Sequence, residues 1–179
     1  MAKLRKWCAY RKIERPYTRF SKVRNKAFVK SRPGKKVIKY DMGDVKGGEE
    51  QFNLELNLIS KEIGQIRTNS VESGRVTALK LLEKRLGKQG FYFRIKAVPH
   101  QVIRENPLAA GAGADRLSTG MKHSFGKTIG TAVRTEEGKT LMTLSVPPNY
   151  ERLGRRALSK ASKKLPVKTR IEARDKRKE

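Results

Sequence analysis

Apolar and polar residues alternate strictly from position 51 to 59: Phe52, Leu54, Leu56 and Leu58 against Asn53, Glu55 and Asn57. Successive side chains of a strand point to opposite faces, so this period of two predicts a β-strand with one buried face. Ser60 is placed to cap a helix that runs to about Leu86 and stops at Gly87. Its inner stripe reads Ile63, Ile66, Ser70, Gly74, Ala78 and Leu81 or Leu82, and the small residues in mid-stripe predict close approach to a sheet. A second strand spans 91–98, with Phe91, Phe93, Ile95 and Ala97 on one face and Tyr92, Arg94 and Lys96 on the other.

Further along, Ser118 or Thr119 opens a short helix that holds Met121 and Phe125 at i, i+4. Strands are predicted over 128–135 and 139–146, joined as a hairpin by Glu136-Glu137-Gly138. Pro147-Pro148-Asn149 starts a helix to about Lys164, with Tyr150, Leu153, Ala157, Leu158 and Ala161 on its buried face. A last strand covers 167–173. Two long helices for about five strands predict an α+β fold: a mixed sheet with both long helices packed on one face, plus a basic N-terminal arm and a C-terminal tail. The expected organisation is a basic extension over 1–50, a single α+β body over 51–173 and a polar basic tail over 174–179.

Charge changes the picture. The 179 residues hold 43 Lys and Arg against 17 Asp and Glu, a net charge of +26. Residues 1–40 account for +14, residues 152–179 for +9, and the stretch between for only +3. A nearly neutral body thus carries two strongly basic ends, and such ends order on a polyanion because they repel themselves. No apolar run approaches the roughly 18 residues of a membrane span, and no apolar signal core follows the first basic residues. The single cysteine, Cys8, forms no internal disulfide and argues for a reducing compartment. A continuous basic amphipathic helix would favour a membrane surface, but Pro16, Pro33 and Gly34 interrupt the basic arm. Nucleic acid is the expected partner, and no membrane. Trp7, Tyr10, Tyr17, Phe20 and Phe28 are interleaved with the arm's charges; their rings either stack on unpaired bases or anchor the arm on the body.

Residues 100–116 do not read as packing. From Leu108 to Asp115 nearly every residue is Gly or Ala, which predicts a loop held at its base by Arg104, Glu105, Asp115 and Arg116, with the opposite charges pairing across the feet. Gly111-Ala112-Gly113 lacks the third glycine and the strand–turn–helix spacing of a dinucleotide fingerprint, and no Walker ending follows it. His100 and His123 are read as structural or RNA-contacting rather than as general bases, and Asp115 as a loop clasp. No catalytic residue, metal site or cofactor is expected, and an RNA-modifying enzyme has no reactive group to support it. Small residues let backbone approach a crowded surface, Arg104, Arg116, Lys122, His123 and Lys127 back the loop, and the amides opening the Ser118 helix can meet a phosphate. The pattern suits a finger inserted into folded nucleic acid.

Val98-Pro99-His100, Arg104-Glu105-Asn106, Gly111-Ala112-Gly113-Ala114-Asp115-Arg116, Gly120-Met121 and Phe125-Gly126-Lys127 stand in an order and spacing that closely resemble one family. It is the large-subunit ribosomal protein family called L-ten-e in archaea and eukaryotes and L-sixteen in bacteria; the form here is archaeal-type. Cys8-Ala9-Tyr10-Arg11 and Pro16-Tyr17-Thr18-Arg19 resemble the family's opening, whereas residues 20–40 are more basic and Pro107-Leu108 differ from the family's pattern. The resemblance implies a cytoplasmic structural constituent of the large subunit, bound to its ribosomal RNA beside neighbouring ribosomal proteins. It also implies that Arg104, Glu105, Asn106, Gly111, Ala112, Gly113, Ala114, Asp115 and Arg116 form a loop near the peptidyl transferase centre and the tRNA acceptor end, helping to position tRNA. The candidate ribosomal RNA contacts are Lys3, Arg5, Lys6, Arg11, Lys12, Arg15, Arg19, Lys22, Arg24 and Lys26 in the arm, with Arg94, Lys122, His123 and Lys127 in the body. The alternative is a transient RNA-binding factor of ribosome assembly.

Overall fold

The computed structural model describes residues 5–11, 22–26, 29, 33–34, 36–48 and 51–175. Eight strands are β1 (Asp41–Gly43), β2 (Leu54–Ser60), β3 (Gly64–Arg67), β4 (Tyr92–Ile95), β5 (Gln101–Glu105), β6 (Lys127–Thr135), β7 (Thr140–Val146) and β8 (Thr169–Asp175). The helices are α1 (Thr68–Leu86), α2 (Ala114–Leu117) and α3 (Glu151–Ser162). The α+β class holds, but the expected mixed sheet resolves into two. Five strands are ordered β1-β4-β7-β2-β8 and three are ordered β3-β6-β5, with every pair among the described residues antiparallel.

The period-two residues build the core of the larger sheet. Met42 pairs with Phe93, Phe93 with Leu144, Leu144 with Leu56, and Leu56 with Ala173, one row across five strands. Phe93, Leu144 and Leu56 are fully buried, and each contributes about 1.5–3 kcal/mol of burial free energy. Both long helices cover this face. A Cβ on Gly154 of α3 would stand 2.5 Å from a Leu56 methyl, and one on Gly74 of α1 3.4 Å from the Ala161 carbonyl oxygen of α3. The mid-stripe glycine predicted in α1 therefore lets the two helices and the sheet meet. Val37, Met42 and β1 all lie within the first 50 residues, and the two side chains are buried in this core.

Several boundaries differ from the sequence reading. Ser60 ends β2 instead of capping a helix, its Oγ donating to the Glu62 carbonyl at 2.8 Å. The helix begins only at Thr68, because Gly64–Arg67 pair with 132–135 of β6 and bury Ile66 in strand geometry. Ile63, read as part of the helix stripe, is exposed. Glu136-Glu137-Gly138 is a tight turn, with Gly138 at φ +79. It is no hairpin: β6 and β7 belong to different sheets, and the turn passes the chain from one to the other. Gly138 N–H donates to the Ser60 carbonyl and Ser60 N–H to the Lys139 carbonyl, at 2.9 and 3.0 Å, which ties this crossing to the end of β2. The last strand extends through Arg174 and Asp175, which pair with Glu55 and Leu54, so the polar tail starts later than expected.

Candidate nucleic-acid interface

Residues 5–11 fold onto the smaller sheet. Trp7 Nε1 donates to the Gln65 carbonyl at 2.7 Å, and its ring lies 3.5 Å from where a Gly64 Cβ would be. Arg11 stacks on Trp7 at 5.2 Å, and Arg67 of β3 stacks on Tyr10 at 5.3 Å. The Tyr10 hydroxyl then donates to Glu105 Oε2 at 3.2 Å, and Arg5 forms an ion pair with the other Glu105 oxygen. Burial, and then the negative charge of Glu105, push the Tyr10 pKa up, which keeps its hydroxyl a donor. Of the two roles open to the arm's aromatics, Trp7 and Tyr10 take the anchoring one. Tyr17, Phe20 and Phe28 lie outside the described residues, as do Lys3, Lys12, Arg15 and Arg19.

Glu105 is also the last residue of β5, where the protruding loop leaves the sheet. Its neighbour Arg104 lies 4.2 Å from the Phe125 ring centroid and donates to the Gly126 carbonyl at 3.1 Å, so it spans to the returning strand. Burial lowers the Arg104 pKa from the ordinary guanidinium value without removing the charge. Gly126 takes φ +74, and a Cβ there would meet the Glu105 carbonyl oxygen at 2.6 Å, so the return needs glycine. Inside the loop, Asn106 reaches the Gly120 carbonyl at 3.5 Å, and Ala109 N–H donates to Ser118 Oγ at 2.8 Å.

The expected pinch of Arg104 and Glu105 against Asp115 and Arg116 does not form among the described residues. Arg104 and Glu105 are engaged at the base, whereas Asp115 and Arg116 sit exposed on the single turn of α2. Asp115 is therefore no clasp. No helix starts at Ser118, which instead ends α2 in an extended conformation; a 3-10 turn at Met121–His123 follows. The phosphate site expected at that helix start thus has no helix to supply it. Gly111, Ala112 and Gly113 are exposed, Ala114 is half-buried, and Leu117 and Met121 are 82% and 76% exposed. The loop is fastened at its root and bare at its end.

Lys6, Arg11, Lys22, Lys26, Lys122 and Lys127 are all exposed. Arg24 falls in a 3-10 turn, as does His123. Arg94 is half-exposed on the outer face of β4, 3.4 Å from Asp41. His100 is exposed, with Nδ1 3.3 Å from the Val98 carbonyl. Reading the sequence alone missed Gln65, Arg67, Phe125 and Gly126 as fasteners of arm and loop. Among the described residues no group of three or more His, Cys, Asp or Glu is arranged to hold a metal ion, and no helix is long and apolar enough to cross a membrane.

The fold and the site together define an α+β protein with exposed Lys and Arg along its edges and a rooted loop of small residues. The sequence matches the family described as ribosomal protein L16p/L10e over residues 14–172. It is 42% identical to the large ribosomal subunit protein uL16 of Methanococcus aeolicus over 163 residues, 90% of this chain and 89% of that one. Identity is 44% to the Sulfolobus acidocaldarius uL16, covering 94% and 93%, and 37% to that of Archaeoglobus fulgidus, covering 90% and 88%. The chain belongs to the L16p/L10e family of ribosomal proteins in its archaeal form, a structural component and not an enzyme.

Proposed function

We propose that this chain is a structural constituent of the large ribosomal subunit in the cytoplasm. It binds large-subunit ribosomal RNA through its basic arm, its tail and the exposed cations of the body, beside neighbouring ribosomal proteins. Residues 104–116 extend toward the peptidyl transferase centre and the acceptor end of tRNA, where they help to hold tRNA in position. One observation carries this reading: Arg104 and Glu105 are locked to Phe125, Gly126, Tyr10 and Arg5, whereas the loop beyond them leaves small residues and Arg116 bare. A loop that buries so little of its own fold is kept for an external surface. Phosphate contacts from Lys and Arg position the protein without specifying sequence.

Retention through a salt wash tests this. A factor held by six to ten phosphate contacts alone loses about 10³–10⁵ in affinity between 50 and 200 mM salt. A built-in constituent stays on isolated large subunits through that wash at one copy per particle. Release into the wash, or presence only on precursor particles, identifies an assembly factor instead.

A further inference from the structure

A cavity of about 270 Å³ opens at the N-terminal end of α1, between that helix and the smaller sheet. Pro33, Ile103 and Ile129 give it apolar walls, and Lys36 and Arg67 supply two cations. No carboxylate lines it among the described residues. Thr131 lines it as well; this residue is only 1% exposed, and its hydroxyl has no hydrogen-bond partner. An unsatisfied buried polar group is costly and rare, so the Thr131 hydroxyl at this cavity points to a ligand that completes it. The start of α1 adds to this: Asn69 Oδ1 accepts the Ser70 amide at 3.1 Å, but Arg67 gives no side-chain cap and the first turn holds no acid, so the positive end of a 19-residue helix faces the cavity.

We propose that this cavity takes one unpaired RNA nucleotide, with its base between Ile103, Ile129 and Pro33 and its phosphate at Lys36 and the first amides of α1. The inference rests on the RNA-binding reading above and adds a specific site to it. Apolar walls fit a base face, and the Thr131 hydroxyl fits the polar edge of a base extruded from its stack. Helix N-termini bind phosphate. The volume lies below the roughly 300–1,000 Å³ of pockets for drug-sized ligands, which suits one nucleotide inserted from a larger molecule.

Two variants test the proposal in the full chain on native large subunits. Gly130→Leu puts a side chain into the cavity from a position where a Cβ meets nothing within 4 Å. Thr131→Val removes the unpaired hydroxyl at nearly constant shape, and carries the test independently should Gly130→Leu fail to fold. The readout is base-specific probing of large-subunit RNA, with dimethyl sulfate for A and C and a carbodiimide for G and U. The wild-type protein shields one unpaired base beside its footprint. With Thr131→Val that base alone becomes more reactive, by up to about tenfold, the factor set by one lost hydrogen bond; Gly130→Leu exposes it fully, and the remaining footprint persists. A wild-type footprint with no unpaired base shielded at this end of α1, or shielding unchanged in both variants, overturns the nucleotide site and leaves RNA binding standing. A wild-type protein with no footprint on large-subunit RNA overturns the RNA-binding reading itself, and this site with it.

Discussion

The guanidinium of Arg104 lies 4.2 Å from the centroid of the Phe125 ring and also donates to the carbonyl beside that ring, at Gly126. One side chain thus joins the strand that leaves the body to the strand that returns, and sets the direction in which the loop projects. A contact of this kind is worth about 0.5–2 kcal/mol, and a lysine ammonium cannot reproduce the planar stack together with the directed hydrogen bond.

Arg104→Lys is therefore expected to loosen the loop without unfolding the body. Hydrogen exchange of backbone amides in 106–126 increases, while β3 and the paired part of β6 keep their protection. Equal loosening of both regions would mean that Arg104 supports the body instead of the loop.

Gly126→Ala acts on the same root through the backbone. The new Cβ has to avoid the Glu105 carbonyl and to accept φ +74, a cost of about 1–3 kcal/mol. A lowered thermal midpoint is expected for this variant. Gly130→Ala, with open space and no positive φ, leaves the midpoint nearly unchanged.

Glu105→Gln removes the charge that holds Arg5 while keeping an acceptor for Tyr10. Arg5 is half-exposed, so the pair is worth at most about 1 kcal/mol. Trypsin is expected to cut after Arg5, Lys6 and Arg11 up to about fivefold faster, the factor that 1 kcal/mol allows. Unchanged cleavage would show that Trp7 and Tyr10 alone hold the arm.

Removal of residues 108–115 leaves the body's thermal midpoint close to that of the full chain, because these residues bury almost nothing. Particles that carry the shortened protein are expected to assemble and to bind tRNA poorly. Failure of the shortened protein to join the subunit would assign the loop to assembly.

The Glu72–Arg75 ion pair on α1 predicts a pH dependence. Hydrogen bonds from Arg75, together with one from the Ile38 amide, hold the Glu72 carboxyl below its ordinary value of 4.5. A depressed folded-state pKa contributes stability that is present above 4.5 and lost as pH falls through the lower folded-state value. Denaturation midpoints measured from pH 6 downward, about where the ordinary carboxylate range is cleared, are expected to drop less steeply for Glu72→Gln than for the wild type.

What could be read from the sequence was local. The strand of Leu54, Leu56 and Leu58, the glycine in the α1 stripe and the stop at Gly87 all follow from neighbouring residues and recur in the fold, although β2 is buried on both faces, Glu55 included, and not on one. Strand β3 was hidden because Ile63, Ile66 and Ser70 also fit helical spacing after a plausible cap at Ser60. Four residues of strand carry too little pattern to contradict that. Pairing was hidden for another reason: Glu136-Glu137-Gly138 specifies a turn, but not whether the strands it joins share a sheet. At the interface, the composition of 108–115 marked a loop. The fasteners are contacts such as Arg5 with Glu105 and Trp7 with Gln65, which join residues far apart in the chain and leave no local signature.

Crosslinking of this protein to RNA in native particles, mapped at nucleotide resolution, tests the central claim most directly. The account predicts fixed crosslinks from the arm to large-subunit RNA and from residues 104–116 to the peptidyl transferase centre or to tRNA ends. Crosslinks confined to precursor RNA, or scattered without a fixed site, would contradict it.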